Sequence, residues 1–192
     1  MKEILRSALL NKRKAMFPDA VKQKSKKIQQ QLFALPIFSQ TQMICFYVSF
    51  DNEVYTHDMI KEGFKLGKQI VVPRCLENDN MLSMHKISSW DDLSSGAHGI
   101  LEPAASLHTK VAPETLELII VPGVGFDRKG HRIGHGFAYY DNFLPHTDAI
   151  TIGLCFEQQL IEYLPVEPHD IQMDIIITED RCISCNKRDF NK

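Results

Sequence analysis

Six short apolar runs, rich in β-branched residues, limit what this chain can fold into: MICFYVS (43–49), KQIVVPR (68–74), MLSMHKI (81–87), LELIIVPG (116–123), AITIGLC (149–155) and DIIITE (174–179). Runs of this length read as buried strands, and all fall short of the ~18 residues a membrane-spanning helix needs. Helical patterns lie among and before them. HDMIKEGFKLGK, closed by Gly67, separates the first two runs, and within residues 2–35 the apolar positions Leu5, Ala8 and Leu9, then Ile28, Leu32 and Leu35, recur every three or four residues. The interruption at Phe17-Pro18-Asp19 divides that segment into two helices. Strands alternating with helical segments predict an α/β fold with a mostly parallel, Rossmann-like sheet and helices on both faces. No repeat, linker or low-complexity stretch divides the chain, so a single domain over residues 1–192 is expected.

Charge narrows the partners. The formal net charge of −2 argues against a dedicated polyanion binder, yet Lys2 to Lys27 holds nine Lys and Arg against only Glu3 and Asp19. Such a segment is a solvated helix face, or some of its cations meet a phosphate. The odd set of five cysteines fits a reducing cytoplasm. Cys182 and Cys185 form a C-x-x-C with no second pair to complete a structural zinc site, and a frayed tail is expected there. No secretory h-region follows the start, and neither nucleic acid nor membrane is expected as a partner.

One stretch fits neither core nor ordinary loop. FDRKGHRIGHGFAYYD (126–141) follows a predicted strand and holds three glycines, cationic side chains, two histidines and a tyrosine pair. Ligands of open α/β sheets sit beyond the carboxyl ends of strands. Gly130, Gly134 and Gly136 let backbone N–H groups approach an anion, and a helix over FAYYDNFL would direct its N-terminus at the same place. Arg128, Lys129 and Arg132 add cationic donors, and Asp141 offers a hard oxygen for magnesium. Spacing alone leaves a phosphate cradle and a tight structural turn both open. Neither G-x-G-x-x-G nor a Walker pattern is present. His131 and His135 lie four apart, but Gly134 between them disfavours a zinc-binding helix face.

The same stretch resembles the signature F-D-x-x-G-x-R-x-G-x-G-x-G-Y-Y-D of the 5-formyltetrahydrofolate cyclo-ligase, or methenyltetrahydrofolate synthetase, family. Further landmarks occur in order: KEILR, YVSFDNEVYT, VVPRC, HGILEP and PHDIQMDIIITED. The resemblance implies a cytosolic, Rossmann-like enzyme of one-carbon metabolism, expected to be a monomer. It would use Mg2+ and ATP to convert 5-formyltetrahydrofolate to 5,10-methenyltetrahydrofolate, ADP and phosphate. By position it implies an ATP-binding segment of Lys2, Glu3, Ile4, Leu5 and Arg6, and a phosphate loop of Arg132, Ile133, Gly134, His135, Gly136, Phe137, Ala138, Tyr139 and Tyr140. Arg132 is the expected catalytic residue. Val48 and Glu53, with His135, Gly136, Phe137, Ala138 and Tyr139, would border the folate. Asp141 and Asp170 match the magnesium-linked acids.

Glu102-Pro103 also fits the family, without a role. Ala138 replaces the third glycine of the signature, and because FAYYDNFL reads as helix from its first residues, a negative φ is expected there. The rival readings are a non-catalytic nucleotide- or RNA-binding module and a phosphosugar isomerase-like enzyme.

Overall fold

Alternation within each apolar run decides which way the strands face. In a computed structural model that describes residues 1–76, 80–96, 99–107 and 109–185, the runs assemble into one eight-stranded sheet. His98 of the HGILEP landmark and the tail after Cys185 lie outside the described residues.

Three helices come first: α1 (Lys2–Lys14), α2 (Pro18–Ala34) and α3 (Pro36–Gln40). Proline at the first helical position starts α2, as the Phe17-Pro18-Asp19 break implied. Then follow β1 (Met43–Cys45), α4 (His57–Lys65), β2 (Gln69–Leu76) and β3 (Met81–Ile87). A short hairpin, β4 (Leu93–Ser95) with β5 (Leu101–Pro103), precedes β6 (Lys110–Val111) and β7 (Leu118–Val121). The second half holds β8 (Gly125–Asp127), β9 (Arg132–Ile133), α5 (Tyr139–Phe143), β10 (Ile150–Leu154), β11 (Leu160–Ile161), β12 (Ile175–Ile177) and β13 (Cys182–Ser184).

The five central strands, β12, β10, β7, β1 and β2, run parallel, as the alternating pattern predicts. The flanks are antiparallel. β3 pairs with β2 because the few residues between Leu76 and Met81 cannot carry a crossover, which needs about a dozen. β13 pairs with β12, so Cys182 lies in a strand rather than the frayed tail expected from sequence.

Ile44, Ile70, Val72, Leu118, Ile120, Ile152, Ile175 and Ile177 pack against Ile28 and Leu32 of α2 and Met59 and Ile60 of α4. The residues between them, Cys45, Val71, Ile119, Val121 and Ile176, face the other way, against Phe126 and against Tyr140 and Phe143 of α5. Each fully buried aliphatic side chain contributes about 1.5–3 kcal/mol. α1 stands apart from both layers. Its Leu9 packs with Val124, Ile133 and Leu164 on a small three-stranded sheet, β11-β8-β9.

Chain order fixes where a ligand can sit. From β1 the chain moves outward to β2 and β3, then returns to place β7 on β1's other side and continues to β10 and β12. β1 and β7 therefore flank a switch point, and beyond their carboxyl ends the connections diverge and leave a crevice.

Candidate active site

A cleft of about 500 Å3 opens at this switch point. Tyr47, Val48, Phe50 and Glu53 reach it from the segment after β1, and Pro122 and Gly123 from the end of β7. Lys2 and Arg6 come from α1, the stretch Arg132–Asp141 forms a wall, and Glu167, His169 and Asp170 close one rim. Of the residues expected at the site, Lys2, Arg6, Val48, Glu53, Arg132, Ile133, Gly134, His135, Gly136, Phe137, Ala138, Tyr139, Tyr140, Asp141 and Asp170 share this one cleft. Glu3, Ile4 and Leu5 do not line it. The α1 spacing turns them away: Ile4 is 77% exposed, and Leu5 packs with the Leu9 cluster. Arg128 and Lys129 are also outside the lining.

The cationic wall is built by close approach. Arg132 is buried on short β9, where its Nη2 donates to Asp141 Oδ2 at 2.8 Å and its guanidinium lies 5.6 Å from the Tyr140 ring centroid. Gly134 lets the loop pass close beside it: a Cβ there would sit 2.7 Å from Arg132 Nη1, and the guanidinium would have to shift. Arg6 Nε donates to the Gly134 carbonyl at 2.9 Å, tying α1 to the loop. His131 takes no part. Its Nδ1 is 2.8 Å from Asp127 Oδ2, and Asp127 Oδ1 accepts from the Lys129 and His131 N–H groups, which closes the β8–β9 turn.

The helix after this loop starts later than the sequence suggests. Ala138 has φ +56° and ψ +14°, a left-handed conformation, and is the N-cap of α5. The expectation of a negative φ is thus incorrect: the loop must turn sharply before Tyr139, and that turn overrides alanine's helical preference. Gly136, at φ +104°, shares the strain-prone path with a residue suited to it.

The opposite wall follows β1. Its ladder ends at Cys45, although the apolar run continues to Ser49. Beyond it Thr56 takes over: its hydroxyl donates to the Tyr47 carbonyl and accepts from Ser49 N–H, closing the loop that carries Glu53. Glu53 is buried, with Oε2 accepting from Phe50 N–H at 3.3 Å and Oε1 lying 3.4 Å from Arg13 Nη1 and 3.6 Å from His135 Nε2. Tyr47 donates to the Val54 carbonyl, and burial holds its phenol well above the ordinary range. Tyr140 is raised in the same way by burial, which leaves its ring part of the core rather than a platform for bases.

At the rim, Lys2 Nζ donates to Asp170 Oδ2 at 2.6 Å and Glu167 Oε2 at 2.9 Å. Desolvation pulls Lys2 down and Asp170 up, but the bonds and charges between the partners prevail: Lys2 is raised and Asp170 lowered. Donor atoms of Glu167, His169 and Asp170 lie within 4.8 Å of one another. Sequence reasoning singled out Asp170 alone, although the spacing E-P-H-D was there to be noticed. Phe50 and Arg13 are not singled out by the sequence, and Glu102 is noted there without a role. Glu102 has a legible signal in Glu102-Pro103, whereas nothing marks Arg13 among its basic neighbours.

A mostly parallel α/β sheet with cations and carboxylates gathered at its switch point is the arrangement of a ligand-binding α/β protein. Residues 1–179 match the profile of the 5-formyltetrahydrofolate cyclo-ligase family, and the chain belongs to that family. A mouse 5-formyltetrahydrofolate cyclo-ligase is 30% identical, covering 92% of both chains. The Saccharomyces cerevisiae 5-formyltetrahydrofolate cyclo-ligase is also 30% identical, over 95% of this chain and 97% of the relative. The NMR structure of Aquifex aeolicus 5,10-methenyltetrahydrofolate synthetase superposes with a TM-score of 0.86 at 31% identity, covering 98% of this chain and 93% of that one. Family membership sets aside the nucleic-acid-binding and isomerase readings. Among the described residues no helix is long and apolar enough to cross a membrane.

Proposed function

We propose that the chain works as one domain, a cytoplasmic monomer, and converts 5-formyltetrahydrofolate to 5,10-methenyltetrahydrofolate at the expense of ATP, with Mg2+ at the acidic rim. The observation that carries this reading is the meeting, in one cleft, of a wall bearing buried Glu53 and a wall bearing Arg132, Arg6 and Lys2.

A formyl oxygen on nitrogen is a poor leaving group, and phosphorylation makes it a good one. The N5-formyl oxygen attacks the γ-phosphorus and ADP departs. N10 then attacks the activated formyl carbon and gives up its proton, and phosphate leaves with the former formyl oxygen, so the methenyl bridge closes. The protein supplies position and charge. Arg132, held by Asp141 and Tyr140, neutralises the transferring phosphoryl group, while Lys2 and Arg6 receive the remaining phosphates. Glu53 accepts hydrogen bonds from the pterin amino and ring N–H groups, with Val48 beside it. His135 and Phe137 border the same space, and Phe137, 51% exposed, would pack its ring on a planar one.

The donor set suits Mg2+. Asp170 and adjacent Glu167 offer clustered hard carboxylate oxygens, Asp141 on the same cleft offers another, and these rather than the His169 imidazole would hold the ion. Bound there, Mg2+ would spread the negative charge of the phosphates.

A thermal-shift comparison tests the assignment, because a ligand of the native state raises apparent stability. Mg-ATP and 5-formyltetrahydrofolate are each expected to raise the melting temperature, and RNA to leave it unchanged. Stabilisation by RNA alone contradicts the reading.

A further inference from the structure

We propose that Arg13, which does not line the cleft, is a positioning residue that holds the Glu53 carboxylate in place for the folate ring. The inference rests on the reading of Glu53 as the pterin-binding acid.

Arg13 is 1% exposed in the last turn of α1, and Glu53 is 5% exposed in the loop after β1. Neither charge tolerates burial alone, and each is the other's nearest compensation. At 3.4 Å the contact is long for a hydrogen bond, so attraction between charges, more than a directed bond, draws the two together. Arg13 does not line the cleft whereas Glu53 and His135 do, and Phe50 N–H anchors the second carboxylate oxygen. The acid is thereby held by a residue outside the ligand space.

A second link runs beside the first. Asn52 Nδ2 donates to the carbonyls of Arg13, Lys14 and Met16 at 3.2, 3.3 and 2.9 Å, pinning the residue before Glu53 to the C-terminal end of α1. Stability alone does not account for Arg13. Its Nε and Nη2 are buried without a hydrogen-bond partner among the described residues, and apolar side chains often serve a buried pair's place better. Spacing adds a geometric reason. Lys2, Arg6 and Arg13, four and seven residues apart, share one face of α1, so a single rigid helix registers the phosphate cations against the folate acid.

Steady-state kinetics on Arg13→Gln, Glu53→Gln and the double variant test this. Arg13→Gln is expected to raise KM for 5-formyltetrahydrofolate on the order of 10²-fold, leaving KM for ATP within about threefold. Arg13→Lys, which keeps the charge, should recover most of that loss. Because Arg13 acts through Glu53, the double variant should be no worse than Glu53→Gln alone. An equal rise in both KM values, an additive double variant, or an unchanged folate KM overturns the assignment. Should Arg13→Gln fail to fold, the double variant must restore folding by removing the stranded charge, and failure to restore it overturns the pairing. Glu53→Gln separates the two layers: if it leaves folate KM unchanged, the reading of Glu53 falls and the inference with it. If it impairs folate while Arg13→Gln does not, only the Arg13 assignment falls.

Discussion

On one face of the main sheet, α2 spans 17 residues and α4 nine, and both lay regular apolar stripes on the strands. On the other face α5 has only five residues and starts from a left-handed alanine, and the cover is completed by a small sheet and loops. The irregular cover stops short at the strand ends, and the cleft opens there, walled by a buried arginine, close-set glycines and paired charges. Where helices run their full course they pack directly on the strands, and the proposed site lies where they do not.

Replacing one residue on each face should separate these roles most sharply. Arg132→Ala should lower turnover on the order of 10²–10³-fold, with little change in folate KM, if the guanidinium acts on the transferring phosphoryl group. An unchanged kcat with a raised folate KM would move Arg132 from phosphoryl transfer to substrate binding. Ile28, fully buried on α2, gives the converse. Ile28→Ala should cost about 2–5 kcal/mol of stability and leave KM values unaltered below the unfolding transition, as denaturant melts and kinetics would show.

A smaller effect of opposite sign is expected on the irregular face. Ala138 occupies a left-handed conformation that disfavours any Cβ. Ala138→Gly should therefore stabilise the protein by about 0.5–1 kcal/mol, with a slight gain in ATP affinity, despite the greater freedom of glycine in the unfolded chain. A drop in melting temperature would show that the left-handed turn stores no strain.

The smallest effect concerns pH and belongs to the antiparallel edge. His85 on β3 has its pKa lowered by burial and by the nearby Arg74 and Lys110 charges, from an ordinary value of 6.5. Its folded form therefore prefers the neutral ring. The unfolded state takes up protons first as pH falls below about 6.5, so this contribution to stability is present above that value and is lost toward the folded pKa. His85→Gln should flatten the loss of stability between neutral and mildly acidic pH, read from melts across that range.

The regular part of this molecule was legible. Short continuous apolar runs such as IIV and III, and the three-to-four spacing through Ile28 and Leu32, carry the strands, the helices and their burial. The landmarks of the resemblance brought Lys2, Arg6, Glu53, Arg132 and Asp170 forward, and the fold gathers them in one cleft. What stayed hidden depends on contacts between distant segments. Arg13 reads as one more basic residue until Glu53 folds onto it. Glu167 and His169 gain a place only beside Lys2. Ala138 misled because local propensity favours helix, whereas the path of the loop around Arg132 dictates φ. The tight β2–β3 connection was readable as a hairpin, but the alternation of strands and helices elsewhere drew attention to parallel pairing.

The proposed function requires one cleft to join a phosphate-handling wall to a folate-holding wall. Mixing the protein with 5-formyltetrahydrofolate and following methenyl absorbance, with ATP and Mg2+ supplied together, singly or not at all, tests it most directly. Product is expected only when both are present. Methenyl product without ATP would contradict it.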